Sequence, residues 1–179
     1  MAMETYSYGL RDLKIATWSA ANSYGTAVDI NAAREFTVTF NVQTDQLEGD
    51  DVVVDRFAKV ISVSANMAYG SVNQEVLSIL TGGTLVSNAT YEDLMFDQAD
   101  NIPYFAIAGR VIGSHGAGDL HVFIPKCSLA GPISYKAGIN TYLIPSLDIQ
   151  GVYEGTANGF GRVRKFAAAT ALTIPLATS

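Results

Sequence analysis

Residues 34–44 read REFTVTFNVQT, an unbroken alternation of apolar and polar side chains. Phe36, Val38, Phe40 and Val42 fall on one side, and Glu35, Thr37, Thr39, Asn41 and Gln43 on the other. Successive side chains of a β-strand point to opposite faces, so this period calls for a half-buried strand. The β-branched and aromatic content agrees. Such a strand needs a partner, and the next segment supplies one. DQLEGDD, from Asp45 to Asp51, is turn-rich and acidic, with Gly49 suited to the tip of a long hairpin. The return strand runs from about Val52 to Tyr69. In it Phe57, Ile61, Val63, Ala65 and Met67 form an apolar row interrupted by Lys59, while Ser62, Ser64 and Asn66 face away. The expectation is an antiparallel hairpin over residues 34–69 with one greasy face and one small, uncharged polar face.

The helical signal falls at residues 72–81. Ser71 is the expected N-cap, with Gln74 completing a capping box. Val72, Val76, Ile79 and Leu80 make an apolar stripe, and Gly82 and Gly83 stop it. A helix this short and one-sided must pack on a sheet. Further strands are expected at Tyr104–Gly113 and Leu120–Pro125, flanking the glycine-rich turn SHGAGD, and at Ile133–Ala137 and Thr141–Tyr153. Arg162–Ile174 closes the chain, its FAAATALTI part a strand or a short helix. With no repeat and no linker, residues 1–179 read as one domain, least constrained at 1–30 and 156–179. The fold class is mainly β, a sandwich or partial barrel with one flanking helix.

About half the residues are hydrophobic and 16% are charged, enough to build a core. The net charge of −6 argues against an ordinary nucleic-acid binder, which needs a basic footprint to neutralise phosphates. Cys127 is the only cysteine, so no intrachain disulfide forms, and a buried structural thiol is expected. The opening residues lack the pattern of a signal peptide, and no apolar run approaches the ~20 residues that span a bilayer. The expected site of synthesis is a cytoplasm, with no membrane partner.

Candidates for chemistry are few. His115 sits in the SHGAGD turn near Ser114 and Asp119, where a triad would lack a rigid elbow. His121 alternates with apolar neighbours as a structural strand histidine. The acids Asp45, Glu48, Asp50, Asp51 and Asp55 lack the spacing of a calcium loop and fit a solvated hairpin tip. The glycines near Gly82 and Gly116 form no phosphate loop, and the sequon at Asn88 has no meaning without secretion. The reading is of no enzyme, no metal and no cofactor.

Several phrases resemble the major tail tube proteins of long-tailed, siphovirus-like bacteriophages. LEGDDVVVDRFA (Leu47–Ala58), the alternating strand after it and NQEVLSILTGGT (Asn73–Thr84) resemble that family's long hairpin and single helix. NIPYFAIAGRVIGSHGAGDLHVFIPKCSLAGPISYK (Asn101–Lys136), continuing through YLIPSLDIQGVY, resembles its later hairpin. The similarity covers roughly residues 35 to 155. It implies subunits in hexameric rings that stack into a hollow tail tube, with paired long strands closing a luminal barrel. The implied setting is the virion tail, after assembly in the host cytoplasm. The implied partners are further copies of the chain, a tape measure protein, and genomic DNA passing through the lumen without specific binding. On this reading Thr37, Thr39, Asn41, Gln43, Ser62, Ser64 and Asn66 line the lumen. The hairpin-tip acids Asp45, Glu48, Asp50, Asp51 and Asp55 either repel phosphate or form the inter-ring contact. The rival readings are a tail terminator or neck ring, the inner tube of a contractile injection system, and a β-sandwich ligand-binding module such as a lectin. The last would use exposed aromatics such as Trp18 and Tyr24, for which the sequence offers no evident acidic partner.

Overall fold

The computed structural model describes residues 7–49, 52–70, 73–97, 101–113, 118–133, 139, 146–155 and 158–176. Strands dominate them: β1 (Ser7–Ala20), β2 (Ser23–Tyr24), β3 (Val28–Asp29), β4 (Ala33–Gly49) and β5 (Val52–Tyr69) precede helix α1 (Gln74–Thr81). After it come β6 (Thr84–Ser87), β7 (Glu92–Met95), β8 (Phe105–Gly113), β9 (Asp119–Leu129), β10 (Ser146–Gly151) and β11 (Arg162–Lys165). The main sheet runs β2-β1-β8-β9-β10-β5-β4, with β3 also on β1 and β11 also on β9, all antiparallel. A separate two-stranded sheet pairs β6 with β7. The protein is mainly β with one helix, as the sequence predicts.

The sheet bends so that its far strands share one core. Phe36 of β4, at one end of the strand order, packs with Leu13 of β1 and against Gly109 of β8. A Cβ on Gly109 would stand 2.6 Å from the Phe36 ring, so this close approach needs the missing side chain. Leu13, Ile15, Val63, Met67, Phe105, Ile107, Ile124, Leu147 and Ile149 are all buried in this cluster, and Val76, Leu77 and Leu80 of α1 seal it. Strand β1 was not foreseen, although Asp12-Leu13-Lys14-Ile15 carries a short alternation whose apolar members are both fully buried.

Helix α1 begins later than the stripe predicts, at Gln74. Its cap is Asn73, whose Oδ1 accepts the backbone N–H groups of Glu75 (2.9 Å) and Val76 (3.4 Å). This displaces the expected Ser71–Gln74 capping box; Ser71 and Val72 themselves lie outside the described residues. The Asn73 amide oxygen, two residues further along, satisfies the orphan donors of the first turn instead. Gly82 closes the helix in the left-handed region, its N–H reaching the Ser78 carbonyl, as the glycine pair predicts.

Strand β9 runs beyond the predicted Pro125 to Leu129. Its register against β8 shifts between Phe105↔Cys127 and Ile107↔Ile124, a bulge that contains Pro125. A residue without an N–H is tolerated in a sheet where the ladder is already interrupted. At the C-terminal end only Arg162–Lys165 is strand, and residues 166–176 are neither strand nor helix. The expected strand at Ile133–Ala137, the start of the one at Thr141, and the turn residues Ser114 and His115 fall almost wholly outside the described residues. Cys127 is buried, with its thiol directed at the Phe105 carbonyl, and burial pushes its pKa up.

Candidate functional site

The hairpin β4–β5 pairs over its whole length, and its register sorts the predicted residues by face. Thr37 stands opposite Asn66, Thr39 opposite Ser64, and Asn41 opposite Ser62, so six of the seven luminal candidates form one polar patch. Asn41 Nδ2 donates to Ser62 Oγ (3.0 Å) and more weakly to Ser64 Oγ (3.4 Å). Strand β10 widens the patch, with Asp148 opposite Asn66 and Gln150 opposite Ser64. Asn66 Nδ2 donates to Asp148 Oδ1 at 2.7 Å. The result is a shallow groove of about 240 Å³ lined by Thr37, Thr39, Ser64, Asn66, Asp148 and Gln150 together with Ala65, Ala130 and Ile149. On the opposite face Phe36, Val38 and Phe40 meet Met67, Ala65 and Val63 in the core.

Toward the tip the predicted apolar row fails. The register jumps from Asn41↔Ser62 to Val42↔Val60, leaving Ile61 as an extra residue in a β-bulge. Because side chains alternate with period two, one extra residue turns the β5 side chains from Val60 back to Asp55 to the other face. Lys59 therefore joins Gln43 on the polar face, which explains why it interrupted the apolar row. Phe57 also moves there, opposite Asp45, instead of lining up with Val63. Phe57 is 60% and Ile61 47% exposed, whereas Val63 and Met67 are fully buried.

The register places Asp45 and Asp55 on this same polar face, opposite Phe57 and Leu47. Each accepts the backbone N–H of its own successor, Gln46 and Arg56 respectively. Glu48 pairs opposite Val53 through its backbone; its side chain, like Asp50 and Asp51, lies outside what the structure describes.

Strand β10 reaches only Val63–Ala68 of β5. Beyond it, among the described residues, the distal ribbon of 41–49 and 52–62 has no third strand, and the outer edge of β4 pairs with nothing. This ribbon carries Val42, Leu47, Phe57, Val60 and Ile61, all exposed. At its base Lys59, Val60 and Ile61 share an open cavity of about 360 Å³ with Tyr153 and Phe160, whose rings meet edge-on at 5.4 Å. A two-stranded ribbon is at best marginally stable in water, and long open edges with exposed apolar side chains invite further strands.

A second constellation escaped the sequence. Trp18 and Tyr24 do have an acidic partner, Glu154, far along the chain. Its Oε1 accepts Trp18 Nε1 (2.8 Å), Tyr24 O–H (2.8 Å) and the Asn22 amide (3.3 Å), and Asn158 Nδ2 donates to Oε2. Burial opposes ionisation of Glu154, but the hydrogen bonds from Asn158, Trp18, Tyr24 and Asn22 outweigh it and hold the carboxyl below its ordinary range. Burial, reinforced by Glu154, pushes the Tyr24 phenol well above its ordinary value. Lys126 Nζ caps the Trp18 ring at 4.0 Å and the Tyr104 ring at 4.3 Å. The carboxylate is occupied by the protein's own donors, so the cluster fastens the segment after β10 to β1 and β2. Sequence spacing offers no signal for a contact spanning this separation.

Among the described residues no group of three or more His, Cys, Asp or Glu is placed to hold a metal ion, and no helix is long and apolar enough to cross a membrane. No known family model matches the chain, and no curated protein matches it.

Proposed function

We propose that the chain is a structural subunit that assembles with copies of itself into stacked rings, the building block of a tail tube of the siphovirus kind. The observation that carries this reading is the distal β4–β5 ribbon, with its open edges and exposed apolar side chains, running on from the polar patch of Thr37, Thr39, Asn41, Ser62, Ser64 and Asn66. Copies joined edge to edge would remove those edges, and closure into a ring would leave no free strand. The groove lined by Thr37, Thr39, Ser64 and Asn66 would then face a wet bore. Asp45, Asp55 and Asp148 add negative charge to that face, against a single Lys59. A bore of that sign repels phosphate, so DNA would pass without sticking. A tape measure protein would occupy the same lumen before ejection.

Negative-stain electron microscopy of the purified chain at high concentration tests the reading. Long hollow tubes support it. Isolated rings favour the terminator or neck reading, and a persistent monomer at every concentration refutes self-assembly.

A further inference from the structure

Residues 166–176 follow β11 and lie against the face of β8 and β9 that points away from the main core. Leu172 and Leu176 are buried there with Ala106, Ala108 and Phe123, a second apolar cluster. The polar anchors of this strap converge on Asp119, itself buried. Its Oδ2 accepts Arg110 Nε (2.9 Å), Arg110 Nη2 (2.8 Å) and the Thr170 backbone N–H (2.8 Å). Its carbonyl accepts the Phe166 N–H at 2.8 Å. The adjoining Gly118 has φ +80°, and a Cβ there would fall 1.9 Å from the Phe166 carbonyl oxygen. The chain can close over this corner only because that residue is glycine.

His121 sits under the strap. It is 1% exposed, its ring lies 4.5 Å from that of Phe166, and among the described residues neither ring nitrogen has a close hydrogen-bond partner. A neutral imidazole there leaves one donor and one acceptor unmet; an imidazolium would leave two donors and a full charge in a dry site. The groups facing it act in opposite directions. Asp119 on β9, the Thr170 backbone and Asp12 on β1 favour the charge, whereas Arg110 on β8 opposes it. Arg164 on β11 is the register partner of His121. Burial is the largest influence and lowers the pKa of His121.

We propose that residues 166–176 form an acid-released strap: protonation of His121 lifts the segment off β8 and β9 and uncovers the apolar groove of Ala106, Ala108 and Phe123. With the strap lifted, the imidazolium meets water and both its N–H groups are solvated. One proton is taken up on opening, and no bond is made or broken. The sign follows from linkage. The closed state disfavours the charged ring, so closure is unaffected above the ordinary histidine pKa and weakens as pH falls below it.

Hydrogen exchange of the peptide covering 166–176, corrected for intrinsic rates, reads the opening. In the wild-type chain it rises about tenfold per pH unit below about pH 6.5, the slope of a one-proton linkage. His121→Phe keeps the ring contact with Phe166 and removes the proton site, so its exchange is flat over the same range. Asp119→Asn weakens the anchor, raising exchange at every pH while keeping the wild-type slope. A pH-independent wild-type strap overturns the proposal, and so does a His121→Phe chain with the wild-type slope. If His121→Phe does not fold, nitrogen NMR of the wild-type imidazole decides. Titration in step with the Thr170 amide supports the strap; titration with a static Thr170 amide overturns it.

Discussion

Asn41 stands opposite Ser62 in the hairpin, and Ile61, the next residue toward the tip along the return strand, has no partner across the ladder. That single unpaired residue divides the hairpin into two parts. On the Ser62 side the greasy face belongs to the subunit core. On the Val60 side the same sheet continues as a free ribbon whose exposed aliphatic and aromatic side chains sit on both faces. The bulge also bends and twists the strand locally, as such insertions do.

Deleting Ile61 separates these roles. The pairs Asn41↔Ser62 and Val42↔Val60 would become consecutive, so every side chain keeps its present face while the bend disappears. Ile61 is about half exposed and lies at the rim of an open cavity rather than in the core, so the monomer should change in stability by no more than about 1 kcal/mol. If copies join through the ribbon, as proposed, assembly depends on the angle at which it leaves the core and should fall sharply. Denaturant unfolding and sedimentation velocity on the same variant check both halves. Unimpaired assembly would remove the bulge from the assembly geometry.

Reversing Asp45 and Asp55 to lysine addresses the charge of the polar face. Both are exposed, and among the described residues each accepts the backbone amide next in sequence, so folding should be unaffected. If the face lines a bore, tubes should still form and genome delivery should slow, because the lining would now attract phosphate. Micrographs alongside an infectivity or DNA-release assay distinguish the cases. Tubes that fail to grow would place these acids in the contact between rings instead.

The central packing makes a third, purely structural prediction. Gly109→Ala would put a methyl group 2.6 Å from the Phe36 ring, where the two ends of the sheet meet. Overpacking of this kind costs about 1–3 kcal/mol. Phe36→Leu in the same chain should recover part of the loss, since the residues touch and their effects will not add. Thermal unfolding of the two single variants and the double variant measures this coupling.

Much of this was legible because period-two alternation is a local property. The hairpin β4–β5, the helix position and its glycine stop, and the facing of Thr37, Thr39, Asn41, Ser62, Ser64 and Asn66 all follow from neighbours in sequence. What was hidden depends on contacts between distant segments. Lys59 within the apolar row hinted at a register change, but only pairing with β4 shows that Ile61 is the extra residue. The cap on Asn73 in place of Ser71 turns on backbone angles at the helix start. The alanine-rich stretch after Lys165 has helix and strand propensity, yet its course is decided by the anchor at Asp119. Glu154 could not be matched with Trp18 and Tyr24 from spacing, since the loop joining them encloses most of the chain.

Glu154 supplies a last prediction with a built-in reporter, because Trp18 is the only tryptophan. Replacing Glu154 with alanine leaves Trp18 Nε1, Tyr24 O–H and Asn158 Nδ2 without their common acceptor, and a partly buried donor stripped of its partner costs about 1–3 kcal/mol. The carboxyl is held below its ordinary value, so its contribution is fully present above about pH 4.5 and is lost as pH falls through the folded value. Glu154→Gln keeps an acceptor for Trp18 but cannot titrate. Its stability should therefore be lower than wild type at neutral pH and converge toward it in acid. Trp18 emission should shift on acidification in the wild-type chain and stay constant in Glu154→Gln over the same range. An identical acid shift in both chains would mean that another group controls the Trp18 environment, and would leave the carboxylate a bystander.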